Sequence, residues 1–320
     1  MPRRVEKHLI SSSSPYFEML FGFCYLAKNL YNHANYILRQ KFIREIRIIG
    51  YCELDKLLKA DKEYPDYRAM PLAQSAQQVL RILVKNWKGY FAAAKDYKQN
   101  PDKYLGRPKL PKYKKKEGLF VLTLTNQNCR LTDGVIKFPQ KFNGFTVTPK
   151  FTEKPYKRFQ QVRFIPTGTD IMLELVYEVE ETELKSDNGK YAGIDIGVDN
   201  LLTVVTNDGT APFIVSGKIP KSVNQFYNKE TARRKSICKK ENSSYSSKMI
   251  QKLTAKRNRR MEDYMHKASR FVVEECAVRG VNSIIIGKNA GWKQESKLSR
   301  NIIKSAECTE DYSKPVTVEQ

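Results

Sequence analysis

The stretch Tyr191-Ala-Gly-Ile-Asp-Ile-Gly-Val-Asp-Asn-Leu-Leu-Thr-Val-Val205 places one carboxylate, Asp195, inside an otherwise apolar strand that turns at once into a second strand. Core strands seldom hold an unpaired acid, because burying an ionised carboxylate is costly unless a metal ion or hydrogen-bond donors neutralise it. Asp195 is therefore expected to ligate a divalent metal. Gly193 and Gly197 flank it and leave room for another backbone or a phosphate to approach, since a glycine in a strand carries no side chain. The plainer alternative makes Asp195 a turn residue of an ordinary hairpin and Gly193 a bulge.

Outward from this strand, length and charge set the bounds. A chain of 320 residues is long enough for two or three domains, each with its own core. The formal net charge of +23 is spread along the chain rather than confined to a tail. It favours a polyanionic partner, because each phosphate neutralised releases condensed counterions. A ribosomal or membrane-surface protein would share that charge. No apolar run approaches the roughly 18 residues of a membrane span, and Met1-Pro-Arg-Arg-Val-Glu-Lys7 lacks the apolar core of a signal peptide. A cytoplasmic location with no membrane partner is expected. The cysteines at 24, 52, 129, 238, 276 and 308 form no Cys-x-x-Cys pair, so neither a zinc site nor a disulfide framework is expected.

From Tyr16 to about Asn100 the spacing is helical, with Leu72, Ala76, Val79, Leu80, Leu83 and Trp87 on one face, most simply a core face. The stretch Lys28-Asn-Leu-Tyr-Asn-His-Ala-Asn-Tyr36 interleaves aromatic and amide side chains, and either packs internally or faces a nucleic-acid backbone; Lys28 and Tyr31 are candidate contacts. Between Lys103 and Lys116 the chain reads Lys-Tyr-Leu-Gly-Arg-Pro-Lys-Leu-Pro-Lys-Tyr-Lys-Lys-Lys, which its prolines bar from being helix throughout. An extended basic loop displays Arg107, Lys109, Lys112, Lys114, Lys115 and Lys116 along a line that suits phosphates, and Tyr113 or Tyr104 could stack on a base. The alternative is a solvated linker.

Short alternating segments follow, at 119–124, 135–138, 145–148, 162–165 and 171–179, and predict a small antiparallel barrel or sandwich. After the Asp195 hairpin come a third strand, Pro212 to Ser216, and a long basic helical segment from Val223 to Val278. Met261, Met265, Ala268 and Val272 form its core stripe, and Lys252, Lys256, Arg257, Arg259 and Arg260 its positive surface, where a duplex could lie. A fourth strand is read at Asn282-Ser-Ile-Ile-Ile-Gly287. Three meandering strands, a helix and a further strand give the RNase H-like order.

The pattern Gly-Ile-Asp-Ile-Gly-Val-Asp-Asn-Leu at 193–201 resembles the first strand of RuvC-type RNase H-like nucleases, and the chain looks like the TnpB proteins of bacterial insertion elements over nearly all of residues 16 to 300. The segment 28–36, the Gly-Arg-Pro-x-x-Pro-x-Tyr-Lys run at 106–114 and Lys288-Asn-Ala-Gly-Trp-Lys-Gln294 resemble stretches of that family; Trp292 either stacks on a base or packs. The resemblance implies an α/β, RNase H-like (RuvC) C-terminal domain, incomplete, preceded by a helical recognition region and a small antiparallel β-barrel. The expected division is 1–15, first part of the barrel (wedge); 16–102, helical recognition region; 103–186, basic loop and barrel; 187–304, RuvC-like domain; and 305–320, an unrelated tail. It also implies a transposase-associated protein that binds guide RNA and target DNA, base pairing reading the sequence while the protein holds backbone. Full-length TnpB relatives are Mg²⁺-dependent RNA-guided DNA endonucleases, with Asp195 matching their first catalytic acid.

Two-metal phosphodiester hydrolysis needs several carboxylates around ions about 4 Å apart. Where most TnpB relatives end the fourth strand in an acid this chain has Gly287; the resemblance implies that members with this Gly-Lys-Asn variant take the glutamate from further downstream, and that the third acid, an aspartate, lies near the C-terminus after a Cys-x-x-Cys zinc module. Glu295, Glu307 and Asp311 are weak substitutes because nothing fixes their geometry. The expectation is a truncated, cleavage-deficient binder. An active or split endonuclease completed by another polypeptide, or a plain basic RNA-binding protein, are the alternatives.

Overall fold

The computed structural model describes residues 2–181, 186–242 and 247–287. The chain divides into two compact units, 1–181 and 182–320. The first begins with strand β1 (Arg3–Ile10), then helices α1 (Phe17–Glu45), α2 (Tyr51–Ala60), α3 (Asp66–Ala69) and α4 (Ala73–Gln99). Strands β2 (Leu122–Thr125), β3 (Arg130–Thr132), β4 (Val135–Lys137), β5 (Thr146–Val147), β6 (Arg158–Pro166) and β7 (Ile171–Glu178) follow.

In α1 the buried positions Leu20, Cys24, Ala27, Leu30, Tyr31, Ala34 and Leu38 recur every three or four residues, so one face is apolar for most of the helix. In α4 the buried face is Ala76, Val79, Leu80, Leu83 and Trp87, as the spacing predicts, with Leu72 half-buried at its start. These faces share one core with Leu122, Leu124, Val162, Phe164, Ile171, Leu173 and Leu175 from the strands. Burial pushes the Cys24 and Cys129 thiols up to about 12, consistent with their reading as small hydrophobes.

The strands form a four-stranded antiparallel sheet in the order β1-β7-β6-β2 and a separate three-stranded sheet, β3-β4-β5. The predicted barrel is not closed: β1 and β2 stand at opposite ends of an open sheet. The physical reason is that the sheet's apolar residues share a core with the helices, so its face is satisfied without curling back on itself.

In the second unit β8 (Tyr191–Ile196), β9 (Asn200–Thr206) and β10 (Phe213–Ser216) form an antiparallel meander. Two helices, α5 (Lys218–Asn242) and α6 (Lys248–Val278), lead to β11 (Ser283–Ile286), which runs parallel to β8, giving the order β10-β9-β8-β11. The segment read as one long helical stretch is an antiparallel helix pair, since Tyr227 bonds Thr254 and Asn224 bonds Arg257. The buried stripe of α6, Met261, Met265, Ala268, Val272 and Cys276, covers Ala192, Ile194, Leu201 and Val204. Among the described residues no helix is long and apolar enough to cross a membrane.

Candidate nucleic-acid interface and the Asp195 position

Strand alternation decides where Asp195 points. Ala192 and Ile194 pack under α6, so Gly193 and Asp195 lie on the opposite face of the sheet. Asp195 pairs in register with Thr203 and is exposed, with no hydrogen-bond or ion-pair partner among the described residues. Its face also carries Val205, Ile214 and Ile285, exposed by 53%, 56% and 60%. The expectation of a buried acid is thus corrected. A single layer of helix covers the other side, so this carboxylate is solvated without needing a metal.

The flanking glycines differ. A Cβ at Gly197 would stand 2.6 Å from the Asn200 carbonyl oxygen, so the tight turn requires glycine, whereas at Gly193 the nearest atom is 3.9 Å away. A tighter contact escaped the sequence reading: a Cβ at Gly217 would lie 2.0 Å from the Val198 carbonyl oxygen, and the Gly217 N–H donates to the Asp199 carbonyl at 2.7 Å. Lys221 closes the same corner with an ion pair to the Asp199 side chain.

Gly287 follows β11 directly, and its N–H donates to the Ile194 carbonyl at 3.1 Å. Because Ile286 pairs with Ile194 in a parallel register, position 287 adjoins Asp195. A side chain would fit there, the nearest atom to a Cβ being 3.7 Å away. The described residues contain no group of three or more His, Cys, Asp or Glu able to hold a metal ion. Among the described residues, one carboxylate beside a glycine is fewer than a pair of Mg²⁺ ions needs. Trp292, Glu295, Glu307 and Asp311 lie outside the described residues.

The basic loop is tied to α1. Lys28 donates to the Lys116 carbonyl at 2.8 Å, and Asn32 holds both groups of Lys114, donating to its carbonyl at 2.9 Å and accepting from its N–H at 2.8 Å. Asn35 and Arg39 both donate to the Pro111 carbonyl, at 3.0 and 2.7 Å. Lys28 is 3% exposed and Tyr31 2%, so both expected nucleic-acid contacts point inward. A buried ammonium has to be partnered, and a backbone carbonyl serves here. Lys114 is half-buried over the Tyr31 and Phe120 rings, and the Arg39 guanidinium lies 4.8 Å from the centre of the Tyr113 ring. Tyr104, the other tyrosine considered for stacking, donates to Asp96, whose carboxyl this bond and one from Asn100 hold below the ordinary range.

What the loop leaves in solvent is Arg107, Lys109, Lys112, Lys115 and Lys116. None of these five side chains has a hydrogen-bond or ion-pair partner among the described residues. Sequence reasoning had not singled out Asn32, Asn35 or Arg39. The signal was present, since 28, 32, 35 and 39 follow the helical repeat that puts polar groups on one stripe. In α6, Lys256, Arg259 and Arg260 are exposed. Arg257 instead bonds Asn224 at 2.7 Å and lies over the Tyr227 ring, joining the two helices.

Residues 174–293 match the model of the family OrfB_IS605, described as "Probable transposase". The match spans well under half of the chain and places the likeness to this transposase family in that segment. The matched segment takes in the Asp195 sheet, both basic helices and Gly287. No curated protein matches the chain. Two solved structures align with this chain at low similarity. The Cas12f1-sgRNA-target DNA complex is 14% identical at a TM-score of 0.31, covering 92% of this chain and 75% of that one. The CRISPR-Cas12f ternary complex is 14% identical at a TM-score of 0.35, covering 92% and 70%. At that similarity neither fixes the fold of this chain.

Proposed function

We propose that this chain is a TnpB-type protein that binds a guide RNA and target DNA, with its second unit a RuvC-like RNase H sheet that presents Asp195 as a metal-ligand position. The family match across the second unit carries the reading. Its support is the strand order, in which an antiparallel meander is followed, after a helical crossover, by a fourth strand parallel to the first. The acid sits toward the C-terminal end of β8, and the +23 charge with five unpartnered loop cations supplies the attraction for nucleic acid.

Cleavage by this chain alone is not expected, because the position adjoining Asp195 is Gly287 and supplies no carboxylate. The direct test sequences the RNA that copurifies with the protein. Enrichment of one transcript class from the encoding element supports guide binding; an unselected mixture contradicts it. A matched DNA target with Mg²⁺ then tests the chemistry. Turnover abolished by Asp195→Ala would show that the site is complete and overturn the cleavage-deficient reading.

A further inference from the structure

The stripe of α1 that grips the basic loop and the gripped part of that loop, 111–116, have the same length. From Lys28 to Arg39 the helix advances about 16 Å at its rise of 1.5 Å per residue. From Lys116 back to Pro111 an extended chain spans about 16 Å at some 3.3 Å per residue. The contacts run in order along this match: 28 with 116, 32 with 114, and 35 and 39 with 111. Each uses the loop's backbone, so the hold does not consume the cations. Asn32 binds both the N–H and the carbonyl of Lys114, as a neighbouring strand would.

We propose that Lys28, Asn32, Asn35 and Arg39 are positioning residues that preset the 107–116 loop as an extended rail for a nucleic-acid backbone, without touching the nucleic acid themselves. This rests on the reading that the protein binds nucleic acid. A loop left to order itself on binding pays that entropy at the moment of contact; one already ordered does not. Lys109, Lys112 and Lys115 recur every third residue and are all exposed. In extended chain of the polyproline type three residues advance about 9 Å, which spaces such cations along a strand of phosphates. Buried Asn35 also accepts from the Trp87 indole N–H at 3.0 Å, so the row of donors is anchored in the core.

The experiment compares wild type, Asn32→Ala, Arg39→Ala and the double variant Lys112→Ala/Lys115→Ala as full-length proteins. Binding to a fluorescein-labelled 30-nucleotide single-stranded RNA is measured by anisotropy across a salt series, and trypsin cleavage within 107–116 is followed in the free proteins. The lysine pair should weaken binding and flatten the slope of log K against log salt by about 0.7 for each phosphate left unneutralised. Asn32→Ala should weaken binding on the order of tenfold with the wild-type slope, because its cations are all retained. It should also speed tryptic cleavage of the loop while the thermal transition persists. If Asn32→Ala does not fold, Arg39→Ala carries the test, by freeing Pro111 and accelerating loop cleavage. Wild-type affinity and wild-type cleavage in a folded Asn32→Ala protein would overturn the positioning role and leave nucleic-acid binding intact. An unchanged slope in the lysine variant would overturn the rail. Wild type failing to bind this RNA or duplex DNA would sink the broader reading and the rail together.

Discussion

Gly217 shows how narrowly a single residue can be constrained outside any motif. A Cβ there would lie 2.0 Å from one backbone oxygen and 2.9 Å from another, and backbone cannot step aside as a side-chain end can. Gly217→Ala should therefore destabilise the second unit by about 1–3 kcal/mol, while Gly193→Ala stays near neutral, as read from denaturant midpoints. Asp208 makes a pH prediction. Its carboxylate accepts from the hydroxyl and N–H of Thr210 and the hydroxyl of Thr206, which hold its carboxyl at about 2, below the ordinary 3.8. A carboxyl depressed in the folded state stabilises it above the unfolded value and loses that contribution as pH falls through the folded one. Acid unfolding of wild type should steepen between these two values, and Asp208→Asn should flatten that part of the curve followed by circular dichroism. Asp195 was legible as an unusual acid on a strand, but its exposure was not, because alternation says only that it opposes Ile194.

At the scale of elements, periodicity reported most of what forms. The Leu72 to Trp87 stripe and the Met261 to Val272 stripe became the inner faces of α4 and α6 because a 3.6-residue repeat leaves a helix one apolar side to bury. The division of the 223–278 segment into α5 and α6 was less visible, since both sides of the break are polar and basic. Its signal lay in the residues with low helix propensity around Asn242 and Ser247. Ser247 caps α6, its hydroxyl accepting from the Ile250 N–H at 3.3 Å. Ser247→Ala should cost about 1 kcal/mol, measured as a lowered thermal midpoint of the full chain. The amide-rich stretch of α1 was readable two ways, inward or toward a ligand. Hydrogen bonds to a loop about 80 residues away settled it inward.

For the whole molecule, the cores fall within the two units: one cluster runs from Ile10 to Leu175, and two others lie between Ala192 and Val281. A fragment of residues 1–181 should keep a cooperative unfolding transition and a native-like helical circular dichroism spectrum; a featureless melt would show that its core is incomplete alone. Composition alone determined the basic charge that favours polyanions. Hydrophobic period determined the strands and helices, and the glycine-and-acid pattern at 193–201 pointed to the family that the second unit matches. Only the tertiary structure decided that the first sheet stays open, that Lys28 and Tyr31 turn inward, that Asp195 faces solvent and that Gly287 adjoins it. The reason is range: a periodic pattern specifies which residues share a face, whereas what covers that face is supplied by packing against elements distant in the chain.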